Sequence, residues 1–169
     1  MQHPNSIMHI ALDNNSDIAT EVSLLPSCYK LIELYMFVVF EKLSDNSRDE
    51  SKVILGSVIG FNQRMHILRK LLDGTTDKNV DKGLTAEIFD RVEECSRIGN
   101  KYAHSIYSQA SVTNEEEWRI RSWFGDIRRV NIFEYISLES IRNERDLLRQ
   151  TIRDLKYFGN LLLPKPVTA

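Results

Sequence analysis

Residues 97–104 read RIGNKYAH and place an arginine, an asparagine and a histidine at offsets of zero, three and seven. An imidazole with an ordinary pKa of about 6.5 both takes and gives a proton near neutrality. An arginine holds a phosphate in two-pronged fashion and stabilises charge developing on it. His104, Arg97 and an orienting Asn100 would therefore suffice for metal-independent RNA cleavage, in which the neighbouring 2′-hydroxyl attacks the phosphate. Lys101 and Tyr102 stand beside them as candidate substrate contacts. At about 100° per residue, Arg97 and His104 share one helix face two turns apart, with Asn100 close to it. Two turns span about 10 Å along the axis, a gap that long side chains bridge by converging or by meeting a second copy of the chain. Polar faces with one histidine and one arginine are common in helical proteins, so spacing alone describes a solvated face more readily than a site.

The element that must position these residues is a helix expected from Leu84 or Thr85 to about Gln109. Its apolar positions Ile88, Val92, Cys95, Tyr102 and Ile106 fall within about 40° of one direction on the helical wheel. Arg97 and His104 lie on the opposite side, toward solvent or a second surface. Upstream, the run from Cys28 to Leu43 is apolar nearly all round, as a central buried helix would be, and Pro26 with Ser27 reads as a kink or a fresh helix start. The SDNSRDES turn follows. Val53, Ile54, Val58, Phe61, Met65, Leu68 and Leu72 then recur at three- and four-residue steps, predicting a helix of roughly five turns that ends at Gly74. Gly56 and Gly60 inside it either admit a neighbouring backbone or mark a break. After SVTNEEE, Trp118, Ile120 and Arg119, Arg121 alternate and a Gly125-Asp126 turn follows, the pattern of a short β-hairpin near 118–135. Ser137 caps a last helix with an apolar line of Leu138, Ile141, Leu148, Ile152, Leu155 and Leu162, closed by Pro164 and Pro166. Its Arg142, Arg145, Arg149 and Arg153 read as an exposed face with intrahelical ion pairs, or as a basic ridge.

The expected fold class is all-α or nearly so: an antiparallel bundle of four to five helices with a possible short hairpin. Residues 1–15, polar and Asn-rich, are expected as a flexible N-terminal arm, 16–163 as one helical domain and 164–169 as a tail. The chain of 169 residues is long enough to bury its own core, and its formal net charge of −2 excludes a broadly cationic nucleic-acid coat while allowing a local basic patch. Its two cysteines, Cys28 and Cys95, read as small buried hydrophobes in a reducing cytosol. Histidines scattered at 3, 9, 66 and 104 make no zinc-type cluster, so no metal is expected. The GSVIG stretch lacks the Lys-Ser/Thr and preceding strand of a phosphate loop, and no nucleophile elbow, CxxC pair or HExxH is present. No cofactor is implied. The N-terminus has no basic leader, and LIELYMFVVF at 31–40 is about half a bilayer span, so a cytoplasmic protein without membrane contact is expected.

RIGNKYAHS resembles the signature of the HEPN superfamily, an arginine followed after four to six residues by a histidine, often as R-N-x-x-A-H. Arg97 and His104 bracket six residues, Asn100 stands for the usual polar residue, and Ala103 precedes the histidine. ILGSVIGFNQRMHILRKLL is similar to the glycine-containing helix upstream of the motif in the mannitol-repressor-like branch. The resemblance covers about residues 28–110, and departs from the family where many members carry arginine immediately before the asparagine: this chain has Gly99. It implies a helical bundle that dimerises through its motif helices. It implies ribonuclease activity, as in toxin and phage-defence members that act on RNA and pair with an antitoxin, or non-catalytic binding and regulation, as in the mannitol-repressor-like branch. In the second case the Trp118–Trp123 segment, with its aromatic and arginine content, would be a partner-binding patch.

Overall fold

Side-chain caps fix where several helices start. Before the second helix, the Ser47 hydroxyl accepts from the Glu50 amide at 3.3 Å while the Glu50 carboxylate accepts from the Ser47 amide at 2.8 Å. Ser137 and Ser140 make a similar reciprocal pair before the last helix, at 3.1 and 3.0 Å. Asp81 accepts from the Leu84 amide at 3.1 Å at the head of the motif helix. The computed structural model describes residues 16–44, 46–76, 80–103, 105–109, 118–122 and 134–162. Among them are five helices: α1 (Ser16–Leu43), α2 (Arg48–Ser57), α3 (Phe61–Gly74), α4 (Lys82–Ala103) and α5 (Leu138–Leu161). Strands β1 (Ser105–Gln109), β2 (Trp118–Ser122) and β3 (Glu134–Ile136) lie between the last two helices. The architecture is a helical bundle with one small antiparallel sheet in the order β1-β2-β3.

Three expectations are corrected by this structure. No fresh helix starts at Pro26 and Ser27: α1 runs through them from Ser16 to Leu43. Proline removes one helical hydrogen bond, and the buried side chains on both sides of it, Val22, Leu25, Tyr29 and Ile32, hold the helix through that loss. The five-turn helix is two helices, broken at Val58–Gly60, where Gly60 adopts φ 98°. A positive φ is a conformation that glycine takes without strain. Added Cβ atoms at Gly56 and Gly60 would meet nothing within 4 Å, so neither admits a close helix approach, and Gly60 serves the break. The motif helix stops at Ala103 instead of Gln109, because Ser105–Gln109 pairs antiparallel with Trp118–Ser122, Tyr107 opposite Ile120. Ile106 and Tyr107 are β-branched and aromatic, types that favour a pleated surface once a partner strand is available. Near 118–135, β2 and β3 pair antiparallel as expected, with Trp118 opposite Ile136, and β2 is the central strand of three, while the Gly125-Asp126 turn lies outside the described residues.

By length and composition α1 is long and apolar enough to cross a membrane over Asp17–Leu43, with 33% of its most apolar window buried inside the fold. The expected arm at 1–15 and the tail at 164–169 lie outside the described residues.

The chain divides into two compact units. One comprises Cys28–Ser96 and Leu148–Ala169. Its core holds Ile32, Met36, Val39, Leu68, Phe89, Val92 and Leu155, each 3% exposed or less. Burying one such side chain contributes about 1.5–3 kcal/mol. Phe89 meets Phe158 edge to face at 6.4 Å and carries the Arg69 guanidinium over its ring. The Tyr29 hydroxyl reaches Ser96 at 3.1 Å, and Arg91 pairs with Asp154 at 2.6 Å. The other unit comprises Met1–Ser27 and Arg97–Leu147, and buries Ile18, Val22, Leu25, Ile98, Tyr102, Ile136 and Ile141. It carries the sheet and the motif.

Candidate functional site

The last two turns of α4 sort their side chains by angle. Cys95, Ile98, Gly99 and Tyr102 are buried, whereas Arg97 and Asn100 are exposed. Arg97 and Asn100 are one helical turn apart, with about 4.5 Å between them along the axis. Among the described residues, Arg97 has no carboxylate partner. Several arginines are committed otherwise: Arg64, Arg69, Arg91, Arg142 and Arg145 all sit in ion pairs. An uncommitted guanidinium on a rigid helix is free to take an anion.

Lys101 and Tyr102, expected as substrate contacts, have their polar groups turned to the protein. The Lys101 ammonium donates to Glu134 at 2.6 Å and to Glu144 at 2.9 Å. The Tyr102 hydroxyl donates to the other oxygen of Glu144. Burial works against the lysine charge, but the hydrogen bonds that the ammonium donates to Glu134 and Glu144 outweigh it and hold the Lys101 pKa above the ordinary lysine value. Glu144 on α5 and Glu134 at the start of β3 thus clamp the C-terminal turn of α4, directly before His104. His104 itself lies outside the described residues, as does Trp123. The structure brings Arg97, Asn100, Lys101 and Tyr102 onto one helix end and separates them into an exposed pair and a clamped pair.

Glu134 and Glu144 were not singled out by sequence reasoning. They lie 33 and 43 residues from Lys101, and only the charge pattern of the RNERDLLRQTIRD stretch pointed at that helix. A second ionic cluster was equally hidden: buried Glu21 on α1 accepts from Arg142 at 3.2 Å and from Arg145. Burial raises the Glu21 pKa, and the two arginines more than reverse that, leaving it below the ordinary carboxylate value. In the other unit, a shallow depression of about 730 Å³ opens beside the Val58–Gly60 break, lined by Ile59, Asn62, His66 and Ile67 among others. His66 is the one titratable group lining it, so it offers shape without paired acid and base.

No group of three or more His, Cys, Asp or Glu able to hold a metal ion occurs among the described residues. Cys95 is buried, its thiol pKa raised by burial, with its sulfur 3.4 Å from the Thr151 hydroxyl. This is the environment of an inert structural cysteine. Comparison with protein-family models, with curated proteins and with solved structures finds no match for this chain.

Proposed function

We propose that the chain is a HEPN-like domain that cleaves RNA without a metal, as a cytoplasmic endoribonuclease of toxin or defence type. The single observation that carries this reading is the exposed Arg97–Asn100 pair, uncommitted among the described residues and adjoining His104 in the chain. In the proposed reaction the His104 imidazole accepts the proton of a ribose 2′-hydroxyl, and the freed oxygen attacks the adjacent phosphorus. The bond from phosphorus to the 5′-oxygen breaks, and that oxygen takes a proton from an imidazolium. The products are a 2′,3′-cyclic phosphate and a 5′-hydroxyl. Arg97 pairs with the phosphate as negative charge builds on it, and Asn100 hydrogen-bonds to the same group. A homodimer through the motif helix supplies a second His104, so that one imidazole serves as base and the other as acid. An antitoxin-like protein covering this face would silence it.

Lys101 and Tyr102 enter the reading as positioning residues: through Glu134 and Glu144 they fix the helix end that precedes His104. Gly99 is buried, so the arginine usual at that place in the family would project into the packed side of α4, and Arg97 takes the anion-binding role instead.

The test is incubation of the purified full chain with mixed RNA in the presence of EDTA. We expect cleavage that leaves 2′,3′-cyclic phosphate ends and falls by about 100-fold or more in His104→Ala, the range general acid–base catalysis supplies. Cleavage unchanged in that variant overturns the proposal. A second reading, a non-catalytic dimeric regulatory module, is favoured by the engagement of Lys101 and Tyr102 with carboxylates. A stable dimer that leaves all RNA intact would select it.

A further inference from the structure

The helix α5 carries a run of cations, and the structure divides them. Arg142 and Arg145 are taken by Glu21. Further along, Arg149, Arg153 and Lys156 are all exposed, and none has a carboxylate partner among the described residues. Arg153 donates to the neutral Gln150 amide at 2.6 Å. The nearest acids along the helix are already used: Asp146 faces Arg145 at 3.3 Å, and Asp154 is bound by Arg91 at 2.6 Å. In a chain with 24 acidic and 22 basic residues, three adjacent unneutralised cations are a local excess that charge balance does not require.

Their spacing gives the excess a shape. Steps of four and three residues keep them on one stripe, about 6 and 4.5 Å apart along the axis. Tyr157, four residues past Arg153, stands beside them with 61% of its surface exposed. A row of cations along one helix stripe, with an exposed aromatic ring beside it, is a combination that binds single-stranded nucleic acid. The cations track the backbone and the ring stacks on a base.

We infer that Arg149, Arg153, Lys156 and Tyr157 form a docking ridge for single-stranded RNA, separate in sequence from the Arg97–His104 motif. The inference rests on the RNA-directed reading for the class of ligand and on different residues for the site. Each cation displaces one condensed counterion from the strand, so the ridge confers a salt-dependent affinity independent of base sequence.

The experiment uses the full-length chain carrying His104→Ala and a fluorescein-labelled 20-mer of uridylate, read by fluorescence anisotropy between 50 and 300 mM KCl. Cleavage is not needed for the readout, so a chain that binds but never cleaves removes the catalytic proposal and leaves this one standing. Replacing Arg149, Arg153 and Lys156 together by glutamine should weaken binding at least tenfold and reduce the log–log salt slope by about two, at roughly 0.7 per phosphate contact. Tyr157→Ala should cost at least about fivefold with the slope unchanged, because stacking releases no counterions. Arg142→Gln, whose cation is already neutralised by Glu21, should keep the parent slope. Unchanged affinity and slope in the triple variant overturn the ridge, as does binding to phosphatidylserine vesicles with none to the RNA.

Discussion

Both halves of the last helix carry cations at three- and four-residue steps, and they put them to opposite uses. In Leu138–Leu147, arginine serves packing: Arg145, with 17% of its side chain exposed, is held by buried Glu21, and Glu144 holds Lys101 and Tyr102. In Leu148–Leu161, Arg149, Arg153 and Lys156 are exposed and face no carboxylate among the described residues. The difference is set by what meets the helix, not by the helix. A buried carboxylate demands a cation because an unpaired charge in a low-dielectric place is costly, whereas a cation in water demands nothing. Paired arginines therefore report on folding, and unpaired ones do not, which leaves them available for the proposed RNA contact.

The comparison breaks most severely at Glu144. Removing its carboxylate in Glu144→Ala takes away an acceptor shared by Lys101 and Tyr102, and should lower unfolding stability by about 1–3 kcal/mol in urea titrations. Glu144→Gln keeps a neutral acceptor and should lose less. If the two variants match wild type, the clamp contributes nothing to stability and the packed half of the helix resembles the exposed half.

Glu21 sharpens the same contrast through pH. Its pKa in the fold lies below the ordinary glutamate value of 4.5, so its stabilising pairs are fully present above that value. They are lost as pH falls through the depressed folded value, since the unfolded chain then binds the proton first. The urea midpoint should decline below about pH 4.5 in wild type. Glu21→Gln should begin lower at pH 7 and show a flatter acid limb. Equal acid limbs would mean that the Arg142 and Arg145 pairs are too solvated to matter.

Lys101 gives the mirror case. Its folded pKa is raised above the ordinary lysine value of 10.5, so its contribution is complete below that value and is lost as pH rises through the folded value. Tyr29, whose pKa burial also raises, adds to the same alkaline decline. Lys101→Met should flatten the Lys101 part only, visible as a smaller drop in the urea midpoint between about pH 9 and 11.5.

How far these partnerships could be read from the chain follows from distance along it. The burial of Ile88, Val92, Cys95 and Tyr102 and the exposure of Arg97 and Asn100 follow from angle alone, so the wheel placed them. The end of that helix did not follow, because Tyr102 and Ile106 keep a four-residue step while Ile106 and Tyr107 equally suit a strand. The choice was made by Trp118–Ser122, a partner that local pattern does not see. Gly60 was legible as a break or a close approach, and only the empty space around its Cβ position decides between them. Glu134 and Glu144 were invisible for the same reason as β2: local periodicity does not tell which charge meets which across dozens of residues.

The smallest expected effect tests the exposed half directly. Arg149→Gln and Arg153→Gln remove charges with no carboxylate partner among the described residues, so each should shift unfolding stability by less than about 0.5 kcal/mol. Unfolding should report nothing while RNA affinity and its salt slope report a loss, and that separation is what distinguishes a surface kept for a partner from one kept for the fold. A loss above about 1 kcal/mol in either variant would place these arginines with Arg142 and Arg145, inside the chain's own ionic economy, and erase the contrast between the two halves of the helix.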